Sequence, residues 1–157
     1  MVTSGPNPGV RFDYDRDVIG VEVELGSVTI TPQLIAGYCA AIAETNPLYT
    51  DARAAQAGPY GGLIAPPCLL PSLAFGRRGP DPKVKFGNAT LFAGSRLECF
   101  APVRAGDTIT AKTQVKEIYP KTGRSGTMLF VVRRTTYSNQ RGERVAASEQ
   151  SLVHREV

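Results

Sequence analysis

Apolar and polar side chains alternate along the C-terminal half of the chain, and this period of two is typical of β-strands. The alternation begins near Leu91 and predicts strands over residues 95–101, 108–118, 127–136 and 144–154. Turn residues separate them, at 105–106, 121–123 and 139–142. Residues 127–132 are apolar without alternation, which predicts a strand covered on both faces. An earlier apolar stretch predicts a strand over residues 18–25, ended by Gly26.

The segments between these strands favour helices. Thr31 is a suitable N-cap and Pro32 fits the first helical position. One apolar face follows at helical spacing, formed by Leu34, Ile35, Tyr38 and Ile42. This helix should end before Asn46, because a residue that precedes a proline is pushed out of the helical region.

Two further helices are predicted downstream. Asp51 caps a short one over residues 52–57, which Gly58 ends. Residues 63–75 predict a buried helix that Pro66 or Pro67 opens, although Pro71 falls inside it.

The order of these elements is one strand, then helices, then a run of antiparallel strands. This order predicts an α+β domain in which a sheet covers a buried helix. Residues 1–17 are polar and rich in Gly and Pro, which predicts a flexible N-terminal arm. Residues 18–157 form a single domain in this interpretation, since 157 residues leave no room for two ordinary ones.

Charge and composition exclude several classes of protein. Hydrophobic residues make up 42% and charged residues 20% of the chain, a globular composition. The net charge of +4 comes from scattered basic residues, so a nucleic-acid surface is not expected. The apolar run over residues 63–75 is too short and too interrupted to span a membrane.

Cysteine and histidine usage narrows the possible chemistry. Cys39, Cys68 and Cys99 are widely spaced among apolar neighbours, which predicts buried free thiols in a reducing, cytoplasmic compartment. His154 is the single histidine, so a zinc site that needs several histidines is excluded and no metal site is expected.

Three segments resemble one family. Residues 38–51, followed by Ala54 and Ala55, resemble the signature of MaoC-like (R)-specific enoyl-CoA hydratases. Residues 61–67 and 102–107 resemble two further segments of that family and come in the same order. The resemblance begins near Ile19 and implies a hotdog fold, an antiparallel sheet wrapped around a central helix, that pairs into dimers.

The resemblance also implies a reaction, the addition of water to a trans-2-enoyl thioester or the reverse dehydration. In the family, an Asp and a His after the first helix activate the water. A backbone N–H at the start of the central helix polarises the thioester carbonyl, because the developing enolate needs a donor.

This chain departs from that pattern at all three positions. Glu44 replaces the Asp, Tyr49 replaces the His, and Pro67, which has no N–H, takes the place of the donor. A tyrosine titrates near pH 10 and is a poor base at neutral pH. Loss of one oxyanion donor typically costs about 10²–10³ in rate. Such a chain resembles the degenerate N-terminal half of double-hotdog hydratases, or the HadA-type subunit of (3R)-hydroxyacyl-ACP dehydratases.

The resemblance implies that the chain is one subunit of a heteromeric hydratase or dehydratase. It would bind the acyl chain while a catalytic MaoC-like hotdog subunit supplies the Asp and His. A self-sufficient homodimer that uses Glu44 and Tyr49, or a non-enzymatic protein that binds acyl thioesters, is the alternative.

The resemblance also implies a set of substrate contacts. They comprise residues after the first helix, at the central helix and on the loop beyond it: Asn46, Gly62, Ile64, Ala65, Pro67, Arg77 and Arg78. The two arginines would meet the phosphates of CoA or of a carrier-protein arm, and a solvated loop is the alternative. No cofactor is expected, since the substrate is carried on CoA or on the phosphopantetheine of an acyl carrier protein (ACP).

Overall fold

Residues 11–157 are described by the computed structural model. Within this range one antiparallel sheet contains β1 (Val23–Thr29), β2 (Ala89–Cys99), β3 (Thr108–Gly123), β4 (Gly126–Ser138) and β5 (Arg144–Arg155). The strand order is β1-β3-β4-β5-β2. Two consecutive hairpins therefore form the centre of the sheet, and the first two strands of the chain, β1 and β2, form its edges.

The helices come between β1 and β2. They are α1 (Pro32–Ala41), α2 (Pro47–Thr50), α3 (Ala52–Ala57) and α4 (Leu69–Ser72). Thr31 caps α1 by accepting a hydrogen bond from the Leu34 N–H at 3.1 Å. Asp51 caps α3 by accepting from the N–H groups of Arg53 and Ala54. Both predicted caps are confirmed.

The core lies between the inner face of the sheet and two of the helices. Ile35 and Cys39 of α1, with Leu69 and Leu70 of α4, pack against residues of β3, β4 and β5, namely Ile109, Ala111, Tyr137, Val145 and Ala146. The α+β hotdog fold predicted from the sequence is confirmed by this arrangement of an antiparallel sheet around a helix.

Several predicted elements have different bounds in the structure. β2 runs from Ala89 to Cys99 instead of over residues 95–101, and β3 continues to Gly123 through the predicted turn at 121–123. The first strand begins at Val23 and passes through Gly26 to Thr29, because a bulge between Glu24 and Gly26 lets the strand continue along β3. The prediction that Gly26 ends the strand is therefore wrong. The helix predicted over residues 63–75 is also wrong in extent, since only α4 forms there.

The prolines explain the short α4. Pro66 and Pro67 precede it, and Pro71 lacks the N–H that would bond to the carbonyl four residues earlier. The last turn closes with a bond from the Leu73 N–H to the Leu70 carbonyl at 3.2 Å. Leu73 itself is extended, with ψ 143°, so the chain leaves the helix at this point.

Several burial predictions need correction. Ile42 follows the last residue of α1 and is exposed, so it does not join the apolar face. Cys39 is buried, but Cys68 and Cys99 are exposed, and all three are free thiols. Cys68 precedes α4 directly and therefore lies outside the buried side of that helix.

The predicted arm over residues 1–17 lies partly outside the described residues. Residues 11–17 run beside the loop that precedes β2: the Asp15 N–H donates to the Pro82 carbonyl at 2.7 Å, and the Phe12 and Phe86 rings meet edge to face. Over residues 11–157, the structure contains no helix that is long and apolar enough to cross a membrane.

Candidate active site and acyl pocket

The loop after α1 is held by its own carboxylate. Glu44 Oε1 accepts hydrogen bonds from the N–H groups of Thr45 and Asn46, each at 2.8 Å. The Glu44 N–H donates to the Cys39 carbonyl at 2.9 Å, and Ala43 takes a left-handed conformation with φ 55° to allow this turn. Glu44 therefore stabilises the loop that carries the family's catalytic positions.

Asn46 continues the same local structure. Its Oδ1 accepts from the Leu48 N–H at 3.0 Å and so caps α2, while Pro47 occupies the first helical position. This helix was not predicted from the sequence, although an Asn before a Pro is a typical start signal. The consequence of α2 is to turn the Tyr49 ring toward the core of the domain.

Tyr49 lies at the wall of an apolar cavity of about 280 Å³. Burial raises the pKa of its hydroxyl, and the negative charge of Glu44 raises it further. A raised pKa keeps the phenol protonated at neutral pH, so Tyr49 can donate a hydrogen bond but cannot act as a base there.

We call this space the proline cavity, after three of its lining residues. It is lined by Tyr49, Tyr60, Ile64, Ala65, Pro66, Pro67, Leu70, Cys99, Phe100, Ala101, Pro102, Val103, Val145 and Ala146. Most of these side chains are apolar, and the polar exceptions are two phenols and a thiol. Such a lining suits an acyl chain.

No N–H group of residues 64–67 is left to bind an oxyanion. The Ile64 N–H donates to the Leu48 carbonyl at 3.2 Å, and the Ala65 N–H donates to the Val103 carbonyl at 2.8 Å. Pro66 and Pro67 have none. A thioester carbonyl in the proline cavity would therefore meet no backbone donor from this segment.

The residues predicted to form the site do not all come together. Tyr49, Ile64, Ala65 and Pro67 line the proline cavity. Glu44, Asn46, Gly62 and Arg77 are absent from its lining, and Arg78 belongs to a different cavity. The hydroxyl of Tyr60 and the Cys99 thiol were missed, because both come from segments without a motif.

His154 is placed away from this site. It lies on β5, where its Nδ1 pairs with the Thr90 hydroxyl at 3.1 Å, and burial lowers the pKa of its imidazole. It lines neither cavity. The described residues also contain no group of three or more acidic, His or Cys side chains that could hold a metal ion.

The second cavity, of about 470 Å³, lies further along the inner face of the sheet, and we call it the sheet cavity. It is lined by Leu25, Pro71, Leu73, Phe75, Arg78, Gly79, Asp81, Thr113, Arg133, Thr135, Tyr137, Ser148 and Gln150. No local pattern predicts this cavity, because its polar residues come from three strands and from the loop after α4, which only the fold brings together.

The antiparallel sheet around a helix, with an apolar cavity beside that helix, is the arrangement of a hotdog protein. Residues 17–148 match the family described as FAS1-like, dehydratase domain region. The chain belongs to that family.

Curated relatives agree with this assignment. A UPF0336 protein of Thermobifida fusca is 30% identical over 146 residues, which cover 90% of this chain and 93% of the relative. A 3-hydroxybutyryl-CoA dehydratase of Methylorubrum extorquens is 26% identical over 121 residues, which cover 75% of this chain and 73% of that enzyme.

Solved structures share the fold. The unliganded R-hydratase PhaJ1 of Pseudomonas aeruginosa superposes with a TM-score of 0.67 at 25% identity, over 88% of this chain and 83% of that one. A chain of the HadBC (3R)-hydroxyacyl-ACP dehydratase complex of Mycobacterium tuberculosis gives a TM-score of 0.67 at 20% identity, over 88% of this chain and 98% of that one, a likeness of fold alone.

Proposed function

We propose that this chain is the acyl-binding, catalytically incomplete subunit of a heteromeric (R)-specific enoyl-thioester hydratase or 3-hydroxyacyl-thioester dehydratase. The partner is a second MaoC-like hotdog subunit that supplies the Asp, the His and the oxyanion donor. The substrate is an acyl thioester of CoA or ACP, and the chain needs no other cofactor.

The observation that carries the proposal is an acyl-sized apolar cavity that lacks the machinery of the reaction. Its wall holds a phenol with a raised pKa where the family has a base. The segment 64–67 offers no free N–H, and Oε1 of the Glu44 carboxylate already accepts two N–H groups of its own loop. Each of these features leaves thioester binding possible while removing a step of catalysis.

Supporting observations come from the surroundings of the cavity. Arg77 is exposed on the loop after α4 and is available to the phosphates of a carrier arm, whereas Arg78 faces the sheet cavity. Hotdog chains of this fold occur in a two-subunit complex, as HadBC demonstrates for its own chains.

The three free cysteines support a reducing, cytoplasmic location.

The test measures turnover and binding separately. The purified chain is assayed for hydration of crotonyl-CoA and of trans-2-octenoyl-CoA by the loss of enoyl absorbance, and octanoyl-CoA binding is measured by calorimetry. We expect binding without turnover. Turnover by the chain alone that Glu44→Gln abolishes would contradict the proposal and favour a self-sufficient homodimer.

A gain-of-function variant sharpens the test. The combined change Glu44→Asp, Tyr49→His and Pro67→Gly supplies the family's Asp and His and a backbone N–H at the third position. We expect this variant to acquire hydratase activity, whereas a matched single variant, Tyr49→Phe, should remain inactive and still bind octanoyl-CoA. If thioester binding is absent in the unmodified chain, the proposal fails.

A further inference from the structure

The sheet cavity exists because α4 is short. The helix ends at Ser72, and the chain then crosses the inner face of the sheet as a non-helical segment that reaches Asp81. Gly79 allows the close approach of this segment, since a Cβ there would lie 2.6 Å from Thr113 Cγ2. The space that remains between the segment and the sheet is about 470 Å³.

The sheet beneath this segment is polar on its inner face. Thr113, Thr135 and Ser148 are register neighbours across β3, β4 and β5, so their side chains form one row of hydroxyl groups. Arg133 and Gln150 are paired in the next row. Inward positions of a sheet normally carry apolar side chains, and burial of polar groups costs free energy unless partners compensate for it.

Some hydrogen-bond donors of the lining side chains have no acceptor within the sheet cavity. Tyr137 and Ser148 are 4% and 5% exposed, and their hydroxyls share one bond at 3.1 Å. Two hydroxyl groups carry two protons and this bond uses one, so one O–H remains available. Arg133 spends one of the five N–H donors of a guanidinium on the Pro80 carbonyl at 2.5 Å.

The charges around the cavity favour an anion. Arg78 and Arg133 contribute two positive charges, and the Asp81 carboxylate contributes one negative charge. The Thr135 hydroxyl donates to Thr113, which donates to the Arg134 carbonyl, so this pair can only accept. The donors that remain among the lining side chains belong to Arg78, Arg133, Gln150 and the Tyr137–Ser148 pair.

The two cavities are neighbours. Ala146 lines the proline cavity and Ser148 lines the sheet cavity, two residues further along β5, which is about 7 Å along a strand. Likewise, Leu70 lines the proline cavity, and Pro71, the next residue in the chain, lines the sheet cavity. The two linings are therefore separated by no more than the length of an acyl chain of several carbons.

We propose that the sheet cavity receives the far end of the acyl group and selects one that carries a carboxylate. This inference rests on the proposed function and specifies its substrate class, an acyl thioester with an acidic terminus. The carboxylate is held by the Arg133 guanidinium and by the spare O–H of the Tyr137–Ser148 pair.

Calorimetry with three CoA thioesters of equal length tests the proposal on the full chain. They are octanoyl-CoA, 8-hydroxyoctanoyl-CoA and the mono-CoA thioester of octanedioic acid. We expect the acid to bind at least about tenfold more tightly than octanoyl-CoA, as one hydrogen bond to a charged group allows. Equal binding of all three, or tightest binding of octanoyl-CoA, would overturn this inference and leave the proposed function standing.

Two variants distinguish loss of the contact between Arg133 and the substrate carboxylate from a general loss of folding. Arg133→Met should abolish the preference for the acid while octanoyl-CoA still binds, and Ser148→Ala should reduce that preference. Arg124→Met, on the exposed hairpin between β3 and β4, is the matched control and should keep it. If the preference survives Arg133→Met, the assignment of the site is wrong. If no thioester binds the unmodified chain, the proposed function and this inference both fail.

Discussion

Glu44 has a structural role that a pair of substitutions can separate from a catalytic one. Its Oε1 accepts two N–H groups at 2.8 Å, one exposed and one partly buried. Water can replace the carboxylate at the exposed group, so Glu44→Ala should cost chiefly the partly buried bond. Loss of such a charged acceptor costs about 1–2 kcal/mol, similar to the removal of a helix cap.

The conservative variant should behave differently. Glu44→Gln keeps an oxygen acceptor of the same reach, so we expect it to lose less than about 1 kcal/mol. Urea unfolding followed by circular dichroism measures both variants, and Glu117→Ala, at an exposed position of β3, is the control with a change of less than about 0.5 kcal/mol. The reasoning is refuted if Glu44→Gln is as destabilising as Glu44→Ala, or if Glu44→Gln weakens octanoyl-CoA binding more than about threefold.

Three further predictions concern packing and charge. Gly87→Ala should destabilise far more than Gly142→Ala in thermal unfolding, because both residues have positive φ but only Gly87 lies against the backbone of β5, at Arg155; equal losses would contradict this. Ala146→Leu should fill part of the proline cavity and weaken octanoyl-CoA binding at least about fivefold, since crowding a packed site costs about 1–3 kcal/mol, and unchanged binding would place the acyl chain elsewhere. Lys116 holds the pKa of the Glu149 carboxyl below its ordinary value of 4.5. The ion pair therefore stabilises the folded state above pH 4.5, and this contribution to the free energy of unfolding is lost as the pH falls further. Glu149→Gln should therefore unfold with a shallower dependence on pH in that acid range, and an unchanged slope would refute the ion pair's role.

Local signals predicted the parts of the fold that local chemistry decides. Thr31 with Pro32 marked the start of α1, and Asp51 marked α3, because a cap is a bond between residues three positions apart. The starts of β3 and β5 at Thr108 and Arg144 were also predicted, since turn residues precede both strands. Periodicity and element order predicted an α+β domain, and the resemblance to the hydratases then specified the hotdog fold.

The features that sequence patterns did not predict depend on contacts between residues far apart in the chain. β1 extends past Gly26 because it pairs with β3 on both sides of a bulge at Leu25. The sheet cavity depends on the register of three strands and on the early end of α4. Tyr49 could be assigned to the site from its motif, but the engagement of Glu44 with its own loop could not, since a carboxylate at a helix end has many possible partners.

The sheet order has a consequence for how the chain folds during synthesis. The central strands β3, β4 and β5 pair with their neighbours in sequence, but β1 pairs with β3, and Ser27 meets Thr110 across 83 residues. At a translation rate of about 5–20 residues per second, β1 therefore waits about 4–17 s before its partner is made. During that interval its backbone N–H and C=O groups lack the β3 ladder, so β1 is the strand most exposed to mispairing on the ribosome.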